Sequence, residues 1–151
     1  MTNLERARRL VADLRGAGVR DFCVCAGSRN SPLLAVLGSA REGLYSFIDE
    51  RSAAFFALGR AKRDRQPVAV VTTSGTAVAE LLPAAVEAFY SAVPLLLVTA
   101  DRPARFRGTG APQCIDQLGI FGLYAETDLS SWSRTKPLHV NIEFDEPLID
   151  E

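Results

Sequence analysis

Apolar residues recur at helical spacing from the first turn of the chain. Leu4, Ala7, Leu10, Val11, Leu14 and Ala17 share one face, and Arg6, Arg8, Arg9 and Asp13 fall elsewhere. That predicts an amphipathic helix stopping at Gly16-Ala17-Gly18. From Val19 to Ala26 the period shortens to two, with Phe22, Val24 and Ala26 alternating against Cys23 and Cys25, which predicts a strand. Gly27 to Pro32 reads as a turn. Ser31 suits an N-cap with Pro32 behind it, opening a helix from Leu33 to about Ala40. Leu44 to Ile48 predicts a second strand, and Arg51 to about Arg63 a helix rich in small residues. The unbroken run Val68 to Thr72 predicts a strand covered on both faces. A long helix follows from Ala77 to about Ser91, with Pro83 in its first turns, and then a fourth buried strand from Leu95 to Thr99.

Strand, loop and helix thus alternate with short connections. The pattern predicts an α/β fold: a doubly wound, mainly parallel sheet of about five or six strands with helices on both faces. A length of 151 residues suits one domain. Beyond Asp101 the pattern loosens. Residues 100–120 are irregular, Leu123 to Thr127 reads as a short strand, and Leu138 to Ile142 as a well-formed one. Between them Asp128 to Lys136 carries no helical pattern. It is also shorter than the dozen or so residues that a parallel crossover needs.

Composition narrows the function. A net charge of −1 gives no electrostatic footprint for nucleic acid or an anionic membrane. No apolar run approaches the ~20 residues of a membrane span, and the charged N-terminus does not resemble a signal peptide. Three cysteines without scaffold spacing suggest a reducing cytoplasm, with Cys23 and Cys25 as core residues rather than metal ligands. There is no glycine-rich dinucleotide fingerprint and no Walker loop. The single histidine, His139, does not support a Ser-His-Asp triad.

The candidate chemistry lies in loops that follow strands, which a parallel sheet gathers at one edge. Asp49 and Glu50 end the second strand and open a helix. They read either as an N-cap with a first-turn acid or as a ligand-facing carboxylate pair. Arg29 and Arg102 could pair with a substrate carboxylate, or serve as turn residues with local partners. Thr73-Ser74-Gly75-Thr76 could present backbone N–H groups to an anion or a polar ring, or simply cap a helix.

Five motifs occur in order: Gly27-Ser28-Arg29-Asn30-Ser31-Pro32, Phe47-Ile48-Asp49-Glu50-Arg51-Ser52, Thr73-Ser74-Gly75-Thr76-Ala77, Thr99-Ala100-Asp101-Arg102-Pro103, and Arg107-Gly108-Thr109-Gly110 running on to Gln113 and Gln117. Together they resemble the N-terminal, pyrimidine-binding domain of the MenD family of thiamine-diphosphate enzymes. The likeness covers roughly residues 4–127 and resumes at Pro137. Two positions depart from the family pattern, with Ala26 where proline is common and Asn30 where serine is usual. A helical segment of the family is also missing between about 128 and 136.

The resemblance implies a carboligase that joins a succinyl-semialdehyde unit from 2-oxoglutarate to isochorismate in menaquinone biosynthesis. It further implies a homo-oligomer with its site between subunits. Glu50 matches the glutamate that shares a proton with the cofactor ring, within apolar surface to which Phe55, Phe56 and Leu58 could contribute. Thr73, Ser74, Gly75 and Thr76 match cofactor-binding positions, and Ser28, Arg29, Arg102 and Gln113 match substrate-binding ones. Mg²⁺ would be held by a pyrophosphate-binding domain that, like the central domain, is not among these residues. The small residues Ser52, Ala53, Ala54 and Ala57 would suit close packing at the interface. The alternatives are another thiamine-diphosphate oxo-acid decarboxylase with the same fold, or a non-catalytic α/β binding module.

Overall fold

The computed structural model describes residues 1–39 and 43–149. Helix α1 (Asn3–Gly16) opens on a capping box: Thr2 Oγ1 accepts from Glu5 N at 3.1 Å, and Thr2 N donates to Glu5 Oε2 at 2.8 Å. Then come β1 (Asp21–Cys25), α2 (Ser31–Gly38), β2 (Leu44–Phe47), α3 (Glu50–Asp64), β3 (Val68–Thr72), α4 (Thr76–Ala79), α5 (Leu82–Tyr90), β4 (Leu95–Asp101) and β5 (Leu138–Glu143). All five strands are parallel, in the order β2-β1-β3-β4-β5.

Side chains alternate across the sheet as the period-two pattern requires. Cys23, Cys25, Val68, Val70, Leu95 and Leu97 pack under α3 and α5. Phe22, Val24, Ala69, Val71, Leu96 and Val98 pack under α1 and α2. Burial pushes both the Cys23 and the Cys25 thiol up to about 12, and neighbouring carboxylates add to the rise. Both therefore remain protonated core thiols.

Four local expectations change. The long helix after β3 is two helices, α4 and α5, broken at Glu80-Leu81. Pro83 explains the break: it has no N–H to donate, and its ring would strike the carbonyl of Ala79 in a continuous helix. The N-cap of α2 is Asn30, with Ser31 as its first helical residue, and Ala40 lies outside the described residues. Leu123 to Thr127 is not a strand. A 3-10 turn covers Gly122–Tyr124, and Glu126 alone bridges in parallel to Leu138. Ala53, Ala54 and Ala57 are fully buried against the sheet, so the small residues of α3 seat it on its own domain. The face that α3 turns outward carries Ser52, Phe55 and Phe56.

The connection from β4 to β5 holds to the sheet by side-chain anchors in place of a crossover helix. Phe121 fills the α3/α5 face and Trp132 the α1/α2 face. Trp132 Nε1 donates to Lys136 O at 2.7 Å, which satisfies its polar end. Asp128 caps the turn Leu129–Ser131 through Ser130 N at 2.9 Å.

Candidate active site

The strand order reverses direction at β1. The chain runs outward to β2 and then resumes on the other side of β1 with β3. Such a point, at the carboxyl edge of the sheet, is where open α/β sheets usually bind their ligands. The loop after β1 and the loop after β3 flank it. They approach so closely that a Cβ on Gly27 would lie 2.5 Å from Thr73 Cβ. Only glycine fits there.

Asp49 is the N-cap of α3. Its Oδ1 accepts from Ser52 N at 2.6 Å, and its bonds with Ser52 hold its carboxyl below the usual range. Glu50 is the first residue of the helix and half-buried, and it makes no hydrogen bond or ion pair among the described residues. The two acids have therefore separated: one is spent on the helix, and the other carries no hydrogen bond or ion pair among the described residues. Leu58 is buried in the core, while Phe56 stacks on Tyr45 and Phe47 at 5.3 and 5.1 Å. Ile48 and Phe55 are exposed.

Arg29 is buried and points elsewhere than a solvent-facing substrate arginine would. Its guanidinium donates to Phe144 O at 3.1 Å and to Glu146 Oε1 at 3.0 Å, and its Nε is buried without a partner. It ties the loop after β1 to the segment after β5. Asn3 assists by donating to Asp145 O at 2.6 Å and Pro147 O at 2.9 Å. Ser28 is exposed beside it. Asn30, which stands where the family usually has serine, closes the turn: Nδ2 donates to Cys25 O at 2.8 Å, and Oδ1 accepts from Gly27 N at 2.9 Å.

The other candidates form one cluster. Arg102 donates from one terminal nitrogen to Ser74 Oγ at 2.8 Å and to Gln113 O at 3.0 Å. Gln113 Oε1 accepts from Thr76 N at 3.2 Å and Thr76 Oγ1 at 3.3 Å. Gly75 N donates to Gln117 Oε1 at 2.8 Å. The expectation that this loop offers its N–H groups to a ligand thus meets a different arrangement, in which glutamine side chains already hold those of Gly75 and Thr76.

Gly75 sits at φ 80° and ψ −134°, a conformation reserved for glycine. A Cβ there would fall on Gln113 Oε1 and lie 2.8 Å from Gln113 Cα. Gly75→Ala should therefore destabilise the chain by about 2 kcal/mol or more, read as a lowered urea midpoint with an unchanged slope.

Behind this cluster lies a buried polar chain that the motifs did not reveal. Gln117 Nε2 donates to Ala100 O at 3.2 Å and Asn141 Oδ1 at 2.8 Å. Asn141 Nδ2 donates to Asp101 Oδ2 at 2.9 Å, and Thr99 Oγ1 donates to Asn141 Oδ1 at 2.8 Å. Arg107 reaches Asp101 Oδ2 at 3.2 Å and Glu143 Oε1 at 2.6 Å. The donors fix every orientation. Gly75 N–H can only donate, so Gln117 turns its oxygen there and its nitrogen inward. Asp101 Oδ2 accepts, so Asn141 turns its nitrogen there. Thr99 spends its one proton on Asn141 and must accept from His139 Nε2, 2.8 Å away. His139 thereby carries a proton on Nε2, and its ring meets that of Phe121 in a T-shaped contact. Burial lowers its pKa to about 4. The available signal was periodicity: Thr99, Asp101, His139 and Asn141 are polar positions within strands that otherwise read as apolar.

Among the described residues, no group of three or more His, Cys, Asp or Glu is placed to hold a metal ion, and no helix is long and apolar enough to cross a membrane.

Residues 5–120 match the family described as thiamine pyrophosphate enzyme, N-terminal TPP binding domain. The chain is also similar to three relatives named 2-succinyl-5-enolpyruvyl-6-hydroxy-3-cyclohexene-1-carboxylate synthase. It is 54% identical to that of Bdellovibrio bacteriovorus, over 99% of this chain and 31% of the relative. The relative from Akkermansia muciniphila is 50% identical over 91% of this chain and 28% of its own length. That from Corynebacterium diphtheriae is 48% identical over 99% and 31%. The chain thus spans less than a third of the length of these relatives. The chain belongs to the thiamine pyrophosphate enzyme family, as an N-terminal TPP binding domain.

Proposed function

We propose that the chain supplies the pyrimidine-binding half of the site of a thiamine-diphosphate-dependent carboligase. That enzyme would join the succinyl-semialdehyde unit of 2-oxoglutarate to isochorismate, as the name of its relatives suggests. The observation that carries the reading is Glu50. It is a half-buried carboxyl without a partner among the described residues, just beyond the carboxyl end of strand β2 in a parallel sheet. The residues fit the cofactor: such a carboxyl can share a proton with a ring nitrogen, and a pyrimidine suits the apolar surface of β2 and α3. Thiamine diphosphate, when bound, supplies a carbon nucleophile and an electron sink for decarboxylation.

In this reading Glu50 holds the proton on the pyrimidine ring, and Asp49 fixes the start of α3 so that Glu50 stays in place. The 73–76 loop forms the wall of the ring site. Arg102 and Gln113, joined through Ser74 and Thr76, stand beside it as recognition groups for substrate carboxylate and hydroxyl oxygens. Arg29 contributes by holding Ser28 and its loop against the segment after β5. Mg²⁺, the diphosphate and the remaining catalytic groups would be held by regions beyond this match. The exposed face of α3 would meet a second subunit, in a cytoplasmic homo-oligomer.

The test uses two preparations. The 151-residue chain alone should release no thiamine-dependent CO₂ from 2-oxoglutarate. An enzyme carrying this domain together with the regions its relatives possess should consume 2-oxoglutarate only with isochorismate to accept the product. Decarboxylation without any carboligation would point instead to a simple oxo-acid decarboxylase. Failure of the assembled enzyme to bind thiamine diphosphate would overturn the reading.

A further inference from the structure

Gln113 and Gln117 lie four residues apart and straddle Gly75, yet their surroundings differ. Gln113 is exposed, and its bonds to Thr76 are long, at 3.2 and 3.3 Å. Gln117 is fully buried, with its amide saturated by Gly75 N, Ala100 O and Asn141 Oδ1. Gly75 is also a glycine at positive φ, the residue type with the most backbone freedom to lose. A buried amide there needs a partner, because leaving it unpaired is costly. Gln117 is that partner, and its other two bonds reach β4 and β5. The loop is thus registered to the sheet by one side chain and touched from outside by another.

We propose that Gln117 is a positioning residue that pins the 73–76 loop to β4 and β5, and so sets the place of the ring-binding wall and of Ser74, through which Arg102 is held. The proposal rests on the thiamine-diphosphate reading for its ligand, but the pinning itself stands on the geometry of this chain. Gln117 acts through Gly75 and does not touch the ligand. Its polarity sense matters as much as its size. Gln117→Glu retains an acceptor for Gly75 N–H but sets a carboxylate oxygen against Ala100 O and Asn141 Oδ1. Gln117→Leu removes all three bonds.

Two readouts test it. In the 151-residue chain, amide hydrogen exchange at Gly75 is followed by NMR in wild type, Gln117→Leu, Gln117→Glu and Val11→Ala. Val11→Ala is a core truncation under α1 that controls for general loss of stability. Gly75 exchange should rise about tenfold or more in Gln117→Leu beyond the rise in Val11→Ala, with β3 amides tracking the control. In the assembled enzyme the dissociation constant for thiamine diphosphate should rise about tenfold in both Gln117 variants and stay near wild type in Val11→Ala. Saturating cofactor should recover most of kcat. Gly75 exchange that follows global stability, or cofactor affinity equal to wild type, overturns the proposal. If the wild-type enzyme binds no thiamine diphosphate, the functional reading fails, and the exchange arm still decides the pinning. Gln117→Asn keeps an uncharged amide one methylene short of Gly75 and serves, by the same two readouts, if Gln117→Leu does not fold.

Discussion

Glu50→Gln should slow exchange of the C2 proton of bound thiamine diphosphate by about 10²-fold or more in the assembled enzyme, with folding nearly unchanged. Glutamine keeps the size and hydrogen-bonding capacity of the side chain but cannot share a proton with a ring nitrogen, and a loss on this scale is usual for general acid–base groups. Asp49→Asn should change the exchange rate far less. Asparagine also accepts from a backbone N–H at an N-cap, so Ser52 N retains its partner. The contrast between two adjacent acids makes the test specific, because a helix-dipole effect would treat them alike. NMR exchange isolates the proton step from substrate binding. Equal rates in wild type and Glu50→Gln would remove Glu50 from the chemistry and leave it a helix-terminal acid.

A second large effect is expected in acid stability. His139 has its folded pKa lowered from 6.5 to about 4 by burial, with the nearby Asp101 carboxylate opposing the shift. The unfolded chain therefore takes up a proton below 6.5 that the folded chain refuses until about 4. The stabilisation is fully present above pH 6.5 and is lost as pH falls through that window, to a total of about 3 kcal/mol. His139 is the only histidine, so no other imidazole titrates in the interval. Urea unfolding between pH 7 and 4.5 should show this slope in wild type and not in His139→Gln. That variant can still donate to Thr99 but binds no proton. Carboxylates that titrate in both proteins cancel in the difference, and identical slopes would sink the assignment.

The sequence alone determined the architecture: a parallel α/β sheet, the two faces of each strand, and the edge where the loops collect. Hydrophobic period and turn residues are local signals, and they agree with one another along most of the chain. It also determined which motifs gather at that edge, because motif order and spacing are written in the chain. The break at Glu80-Leu81 was missed, because Pro83 also suits the first turns of one long helix; the fold starts α5 at Leu82 and so makes Pro83 an early residue of a second helix.

Only the tertiary structure decided what each side chain does. Asp49 and Glu50 are alike as sequence, and they part because a single N-cap geometry consumes one carboxylate and leaves the other free. Arg29 and Arg102 are alike as candidates, yet one is buried on Glu146, 117 residues away, and the other joins Ser74 to Gln113. Gln117 looks like any polar residue in an irregular stretch until the fold sets it against Gly75, 42 residues earlier. Hydrogen bonds act over about 3 Å and depend on direction, so their pairing is settled only where the packed sheet brings distant residues together.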